Sequence, residues 1–300
     1  MVVGFVLQGC VSSPTLQNVN NKGDIYLEPQ HIKALNGHLK ALSADNMAGR
    51  KYNSPESIEA QNYIVSSLIK NDVDPFKGQF RHEFKQKSFF SIKRGSNIIG
   101  FVKGASHPEQ YIVLSAHYDH LGIKGTSVFN GADDNASGTA ALLAFGEVIA
   151  NKPLKYSVIF LFTDGEEVNL LGSKAFLRQQ NQMLPQIRLN INVDMIAGNK
   201  STSKLHFIEN RLENILSDSS INHLKQLTND PATKLKRGFK GRQHKNNNRI
   251  NWRNASDHGS FNKEHIPFIY FGVGVHTNYH TTHDTFENIN LSFYIQSCEL

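Results

Sequence analysis

Four stretches of the chain share one pattern, a continuous apolar run that breaks into polar residues at its carboxyl end. They are "YIVLSAHYD" (111–119), "KYSVIFLFTDGEE" (155–167), "RLNINVDMIAG" (188–198) and "HIPFIYFGVG" (265–274). Short runs that are apolar at nearly every position, rather than every second one, read as strands buried on both faces. Segments with helical spacing fall between them, at 137–150 and about 168–180. Strands alternating with helices predict an α/β sheet covered on both faces. Upstream, "SPESIEAQNYIVSSLIK" offers Ser54 as a helix cap, Pro55 at the first helical position, and Ile64, Val65, Leu68 and Ile69 as an apolar stripe. "KSFFSIKRGSNIIGFVKG" (87–104) alternates as the two arms of a hairpin would.

In sheets of this kind ligands bind beyond the carboxyl ends of the strands. His117, Glu166, Glu167 and Asp194 all sit at such ends. Asp133 and Asp134, in "GADDNASG", precede the helix predicted from 137. One carboxylate there would cap the helix and complement its dipole; a second calls for another reason. His280, in "YHTTHDTFENI", adds an imidazole. A lone His or Asp of this kind is usually a hydrogen-bonding or capping residue. Taken together, His117, Asp133, Glu167, Asp194 and His280 offer two imidazoles and three carboxylates, a donor set suited to zinc. Five ligands are too many for one tetrahedral ion with an open position, and they fit two ions if one carboxylate bridges.

The ordered set HYDHLG, GADDNASG, DGEE, NVDM and YHTTHDT resembles the co-catalytic di-zinc aminopeptidases of the bacterial leucyl and aminopeptidase Y type. "LSADNMAGRKYNSPES" and "ASDHGSFNKEHIPFIYFG" extend the likeness over about residues 40–290. The resemblance implies a three-layer α/β/α fold with a mixed, mostly parallel central sheet, the zinc-dependent exopeptidase architecture. It implies two Zn2+ per chain, with Asp133 bridging, His117 and Asp194 on one ion, and Glu167 and His280 on the other. Glu166 is then the general base, Asp119 the acceptor for His117, and Asp134 the second member of a cis peptide bond with Asp133. The implied substrate is a peptide with a free N-terminus, whose α-amino group sits near one ion and limits cleavage to the first residue. Asp257, His258 and Tyr279 are read either as pocket residues or as structural ones. His120 and His283 are expected to be structural, and Asp284 to brace His280 or cap a turn.

Composition changes this picture little. With 39% hydrophobic residues in 300 the chain can bury a large core, and a net charge of +6 is only a mild basic excess. Residues 199–260 hold a helical segment and then "TKLKRGFKGRQHKNNNRINWRN", read as a solvated loop, a cap over the site or a basic patch. That run lacks a nucleic-acid motif and interleaved aromatics, so no nucleic-acid partner is expected. The two cysteines, Cys10 and Cys298, make a poor disulfide framework. "MVVGFVLQGCVSS" reads as the end of an export signal in which Cys10 resembles the lipidated residue of a bacterial lipoprotein. The expected organisation is a leader and tail at 1–23 and one catalytic domain at 24–300, in an exported, periplasmic or outer-membrane protein. The rival activity is that of the glutaminyl cyclases, which share the implied fold around one zinc. A non-catalytic protein on the same fold is the rival from another class, and the complete ligand set argues against it.

Overall fold

The computed structural model describes residues 27–87, 91–150, 152, 154–239 and 250–300. The Cys10 and 1–23 readings, and the Asn run at 246–248, lie outside the described residues. The strands are β1 (Asp74–Pro75), β2 (Arg81–Lys87), β3 (Ile92–Val102), β4 (His107–His117), β5 (Gly122–Lys124) and β6 (Ser127–Phe129). They continue with β7 (Tyr156–Thr163), β8 (Ile187–Val193), β9 (Leu205–Asn210), β10 (Leu235–Arg237) and β11 (Phe268–Gly272). The helices are α1 (Pro29–Leu42), α2 (Glu56–Lys70), α3 (Gly138–Ile149), α4 (Leu171–Gln179), α5 (Asp218–Asn229), α6 (His258–Lys263) and α7 (Leu291–Glu299).

Nine strands form one sheet in the order β1-β3-β7-β4-β8-β11-β9-β10, with β2 on β3. The centre, β7-β4-β8-β11, is parallel, so the carboxyl ends of these four strands open on the same edge. Antiparallel pairing flanks that centre, where β3 joins β7 and where β9 joins β11, and continues outward from β3 to β1 and β2. The central strands are apolar at successive positions because each face meets its own core. Val158, Phe160 and Phe162 pack with Leu35, Ile64 and Leu143 from α1, α2 and α3. Ile159 and Leu161, the residues between them, pack with Phe176 of α4 and Phe261 of α6. Two covered faces give the three layers that the strand–helix alternation predicts.

All four predicted strands and the helices at 137–150 and 168–180 are present. Ser54 Oγ accepts the N–H of Ser57 at 3.3 Å, and Pro55 has helical dihedrals. The stripe on α2 is narrower than expected: Ile64 and Leu68 are buried, but Ile69 is 58% exposed. Residues 92–102 are not two hairpin arms but one long strand whose antiparallel partner, β2, lies upstream. The 199–260 region extends the main sheet through β9 and β10 rather than standing apart from it.

Candidate metal centre

β4 ends on His117, whose Nδ1 lies 3.0 Å from the backbone oxygen of Asp119. Donation to that carbonyl directs Nε2 inward, 3.3 Å from both Asp134 Oδ1 and Asp194 Oδ1. The expectation that the Asp119 carboxylate holds His117 is therefore only partly met. That carboxylate is 3.7 Å from Nδ1 and instead accepts the N–H of Glu166 at 3.0 Å, tying the loop after β7 to the loop after β4.

The turn carrying the paired aspartates is tied from several sides. Arg50, with no exposed surface, donates to the carbonyls of Leu42, Tyr118, Asn130 and Gly131 at 2.5–2.9 Å. It thereby joins the loop after β4 to the turn itself. Gly131 has φ +58°, and a Cβ built on it would lie 2.2 Å from the Asp134 carbonyl oxygen. Asp284 accepts the N–H groups of Asp133 and Asp134 at 2.8 and 3.1 Å. Of the two readings of Asp284, bracing His280 or capping a turn, its hydrogen bonds favour a turn.

The structure does not bring Asp133 to the other candidate ligands. Its Oδ1 accepts the N–H groups of Ala197 and Gly198, both at 2.8 Å, and its Oδ2 accepts from His276 Nε2 at 2.8 Å. Asp134 takes the position expected of its neighbour. Asp134 Oδ1 faces His117, while Oδ2 lies 3.1 Å from His280 Nε2 and 3.7 Å from His120 Nδ1. The cis peptide bond is likewise one residue on, between Asp134 and Asn135. Asn135 closes the turn by accepting from the N–H groups of Gly138 and Met195 and donating to the Val193 carbonyl.

Among the described residues, two sets of side chains could hold a metal ion: His117, Glu166 and Asp194, and beside them His120, Asp134 and Glu167, with ligand atoms inside each set within 4.8 Å of one another. His280 joins the second set, 3.3 Å from Glu167 Oε2. His120, expected to be structural, is almost fully buried with Nδ1 2.9 Å from Glu167 Oε1. Asp134 Oδ2 and Glu167 Oε1 face His120 Nδ1 at 3.7 and 2.9 Å, and all three atoms are buried without a hydrogen bond of good geometry. Two buried carboxylate oxygens meeting one imidazole nitrogen in this way are costly unless something shared lies between them. A divalent cation bound by oxygen and nitrogen fits that demand.

The charges agree. Burial would raise the Asp134 carboxyl, but the imidazoles of His120, His117 and His280 outweigh it and hold this group well below the usual range. Burial would lower His280, yet Asp134 and Glu167 push it up to about 10. Burial raises Glu166 well above its ordinary value, with His117 pulling the other way. The carboxylates that raise His117 and His280 thus favour protons on those two rings in the metal-free protein, and a metal would displace them.

The remaining expected residues line the surroundings. Asp257 is fully buried and accepts from the Thr163 hydroxyl. His258, also fully buried, has Nε2 2.8 Å from the Trp252 carbonyl and stacks on Tyr270 at 4.3 Å. Neither belongs to the two metal-holding sets. Tyr279 stacks on His280 at 3.8 Å and restricts that ring. Sequence reading missed Arg50, although "AGR" lies inside a quoted motif, and it missed His276, four residues before His280.

The profile "Peptidase family M28" matches residues 97–299 and so includes both metal-holding sets. The chain belongs to peptidase family M28. Among family relatives, Aminopeptidase YwaD of Bacillus subtilis is 27% identical over 255 residues, covering 82% of this chain and 49% of the relative. The chain thus spans about half the length of that protein. A crystal structure of BSAP, a zinc aminopeptidase from Bacillus subtilis, superposes with a TM-score of 0.68 at 17% identity, covering 90% of this chain and 93% of that one. A glutaminyl cyclase from Fimbriiglobus ruber does so with a TM-score of 0.70 at 16% identity, covering 94% and 97%. At these identities the two structures share the fold with this chain.

Proposed function

We propose that this M28 member is a zinc-dependent aminopeptidase that removes the first residue of peptides with a free N-terminus. The observation that carries the reading is Asp134, whose two oxygens face His117 on one side and His280 on the other. A carboxylate so placed suits a bridge between two ions, with His117 and Asp194 beside one and Glu167, His280 and His120 beside the other. When bound, the two ions supply positive charge that polarises a peptide carbonyl and acidifies an adjacent water. Glu166 takes the proton of the attacking water on its carboxylate and returns it to the leaving amine. Its backbone anchor on Asp119 and its partly open face suit that task. His117 keeps Nε2 directed inward because Nδ1 is engaged by the Asp119 carbonyl.

In this reading residues 24–300 form one catalytic domain and residues 1–23 an export leader and tail, with Cys10 as the lipidated residue. Loss of membrane attachment in Cys10→Ser would support the leader, and unchanged attachment would contradict it.

The activity is tested by mass spectrometry of a peptide mixture incubated with zinc-loaded protein. The peptides carry varied free N-termini, including Gln, with acetyl-blocked copies as controls. Stepwise loss of first residues from the free peptides alone is expected. Ammonia loss from the Gln peptide as the sole product would instead make the chain a glutaminyl cyclase. Glu166→Gln should retain bound zinc and lose nearly all turnover; a variant that stays active would remove Glu166 from the mechanism.

A further inference from the structure

The aminopeptidase reading leaves the basic residues after 199 without a task. A groove of about 650 Å3 runs past the carboxyl end of β11 and the start of β9. Its lining includes the segment Val273–Thr277 and, from other parts of the chain, Lys204, Lys236 and Arg237. Phe239 and Trp252, stacked 4.2 Å apart, add apolar surface. Among the described residues the lining contains three permanent cations and no Asp or Glu. Glu209, outside the lining, pairs with Arg237. Lys204 and Lys236 have no carboxylate partner among the described residues, and Lys236 Nζ makes only a 3.3 Å contact with the Thr228 carbonyl.

The groove adjoins the metal-holding sets. His276 lies in its lining while donating to Asp133, the residue before Asp134. Asn199, also in the lining, follows Gly198, whose N–H binds the same Asp133 carboxylate. A peptide anchored by its N-terminus at the two sets and laid along this edge would enter the groove past His276 and Asn199.

We propose that the groove selects peptides with an acidic side chain near the free N-terminus. Its carboxylate is received between Lys204 and Lys236, and its methylenes lie on the Phe239–Trp252 surface. This rests on the aminopeptidase reading for the position of the N-terminus. Solvent-screened contacts of this kind should give a preference of about fivefold at low salt, which is about 1 kcal/mol in all.

The test uses alanine-based tripeptides with Asp or Glu at the first, second or third position, each against its Asn or Gln isostere. Binding is measured by calorimetry on zinc-loaded Glu166→Gln protein, and cleavage separately on the wild type. The expected result is about fivefold tighter binding of the acidic peptide at one position or more. The preference should fall within twofold in K204Q/K236Q, while affinity for the amide peptide stays unchanged. Equal binding of acid and amide at every position, or a preference that survives in K204Q/K236Q, would overturn the proposal. Absence of cleavage of every free peptide, with the binding preference intact, would instead count against the aminopeptidase reading and leave an acidic-peptide site.

Discussion

Two regions of this protein hold charge in opposite ways. Around the 131–138 turn, carboxylates and imidazoles are buried, and most of their neighbouring backbone groups have a fixed partner: Arg50 on four carbonyls, Asp284 on two N–H groups, Asp133 on two more. Along the groove at 204–239, Lys204 and Arg237 are exposed, and Arg237 has Glu209 as an ion-pair partner. Buried charge must be positioned by partners because leaving it unpaired is expensive, whereas solvated charge is nearly free to move. The first region therefore sets the geometry of chemistry, and the second can tune which substrate is favoured without affecting the fold.

Breaking the contrast directly gives the largest effect. Arg50→Met strips four buried carbonyls of their donor and should cost about 3–5 kcal/mol of stability in urea unfolding. Lys204→Gln should change stability by less than about 0.5 kcal/mol. Comparable losses in the two variants would erase the distinction between the regions. Gly131→Ala sharpens it: the added methyl meets the Asp134 carbonyl oxygen, and φ is +58°. The expected cost is about 1–3 kcal/mol together with weakened zinc binding; wild-type stability and zinc affinity would show that the turn is looser than described.

A smaller effect lies between the regions, at His258 beneath Trp252. Burial lowers its pKa from 6.5 to about 4. The unfolded chain then binds the proton more readily, so this group's contribution to stability is full above pH 6.5 and is lost as pH falls towards 4. Metal-free wild type should therefore lose stability relative to His258→Phe over that window, followed by thermal unfolding at matched ionic strength. A difference that does not vary with pH would mean His258 titrates normally.

Much of the centre could be read from sequence because strand burial leaves so few polar residues at strand ends. His117, Glu166, Glu167 and Asp194 stood out against apolar runs, and the structure brings them together. The choice between Asp133 and Asp134 was not legible. Adjacent identical carboxylates differ only in what faces them, and the partners that claim Asp133 come from Ala197, Gly198 and His276, far along the chain. His120 reads as structural only on ligand count, since five other groups complete the expected shell, and ligand count says nothing about burial. The 199–239 region resisted reading for another reason. β9 and β10 are short and lie towards the edge of the sheet, so their pattern is too brief and too polar to rise above that of a loop.

The central claim is that Asp134, and not Asp133, joins the two metal-holding sets. Zinc stoichiometry of Asp134→Asn and Asp133→Asn, measured by elemental analysis after dialysis, tests it most directly. Asp134→Asn should hold at most one zinc per chain, while Asp133→Asn, though less stable, should still hold two. The opposite pattern, with Asp134→Asn fully loaded and Asp133→Asn depleted, would return the bridging position to Asp133 and contradict the account.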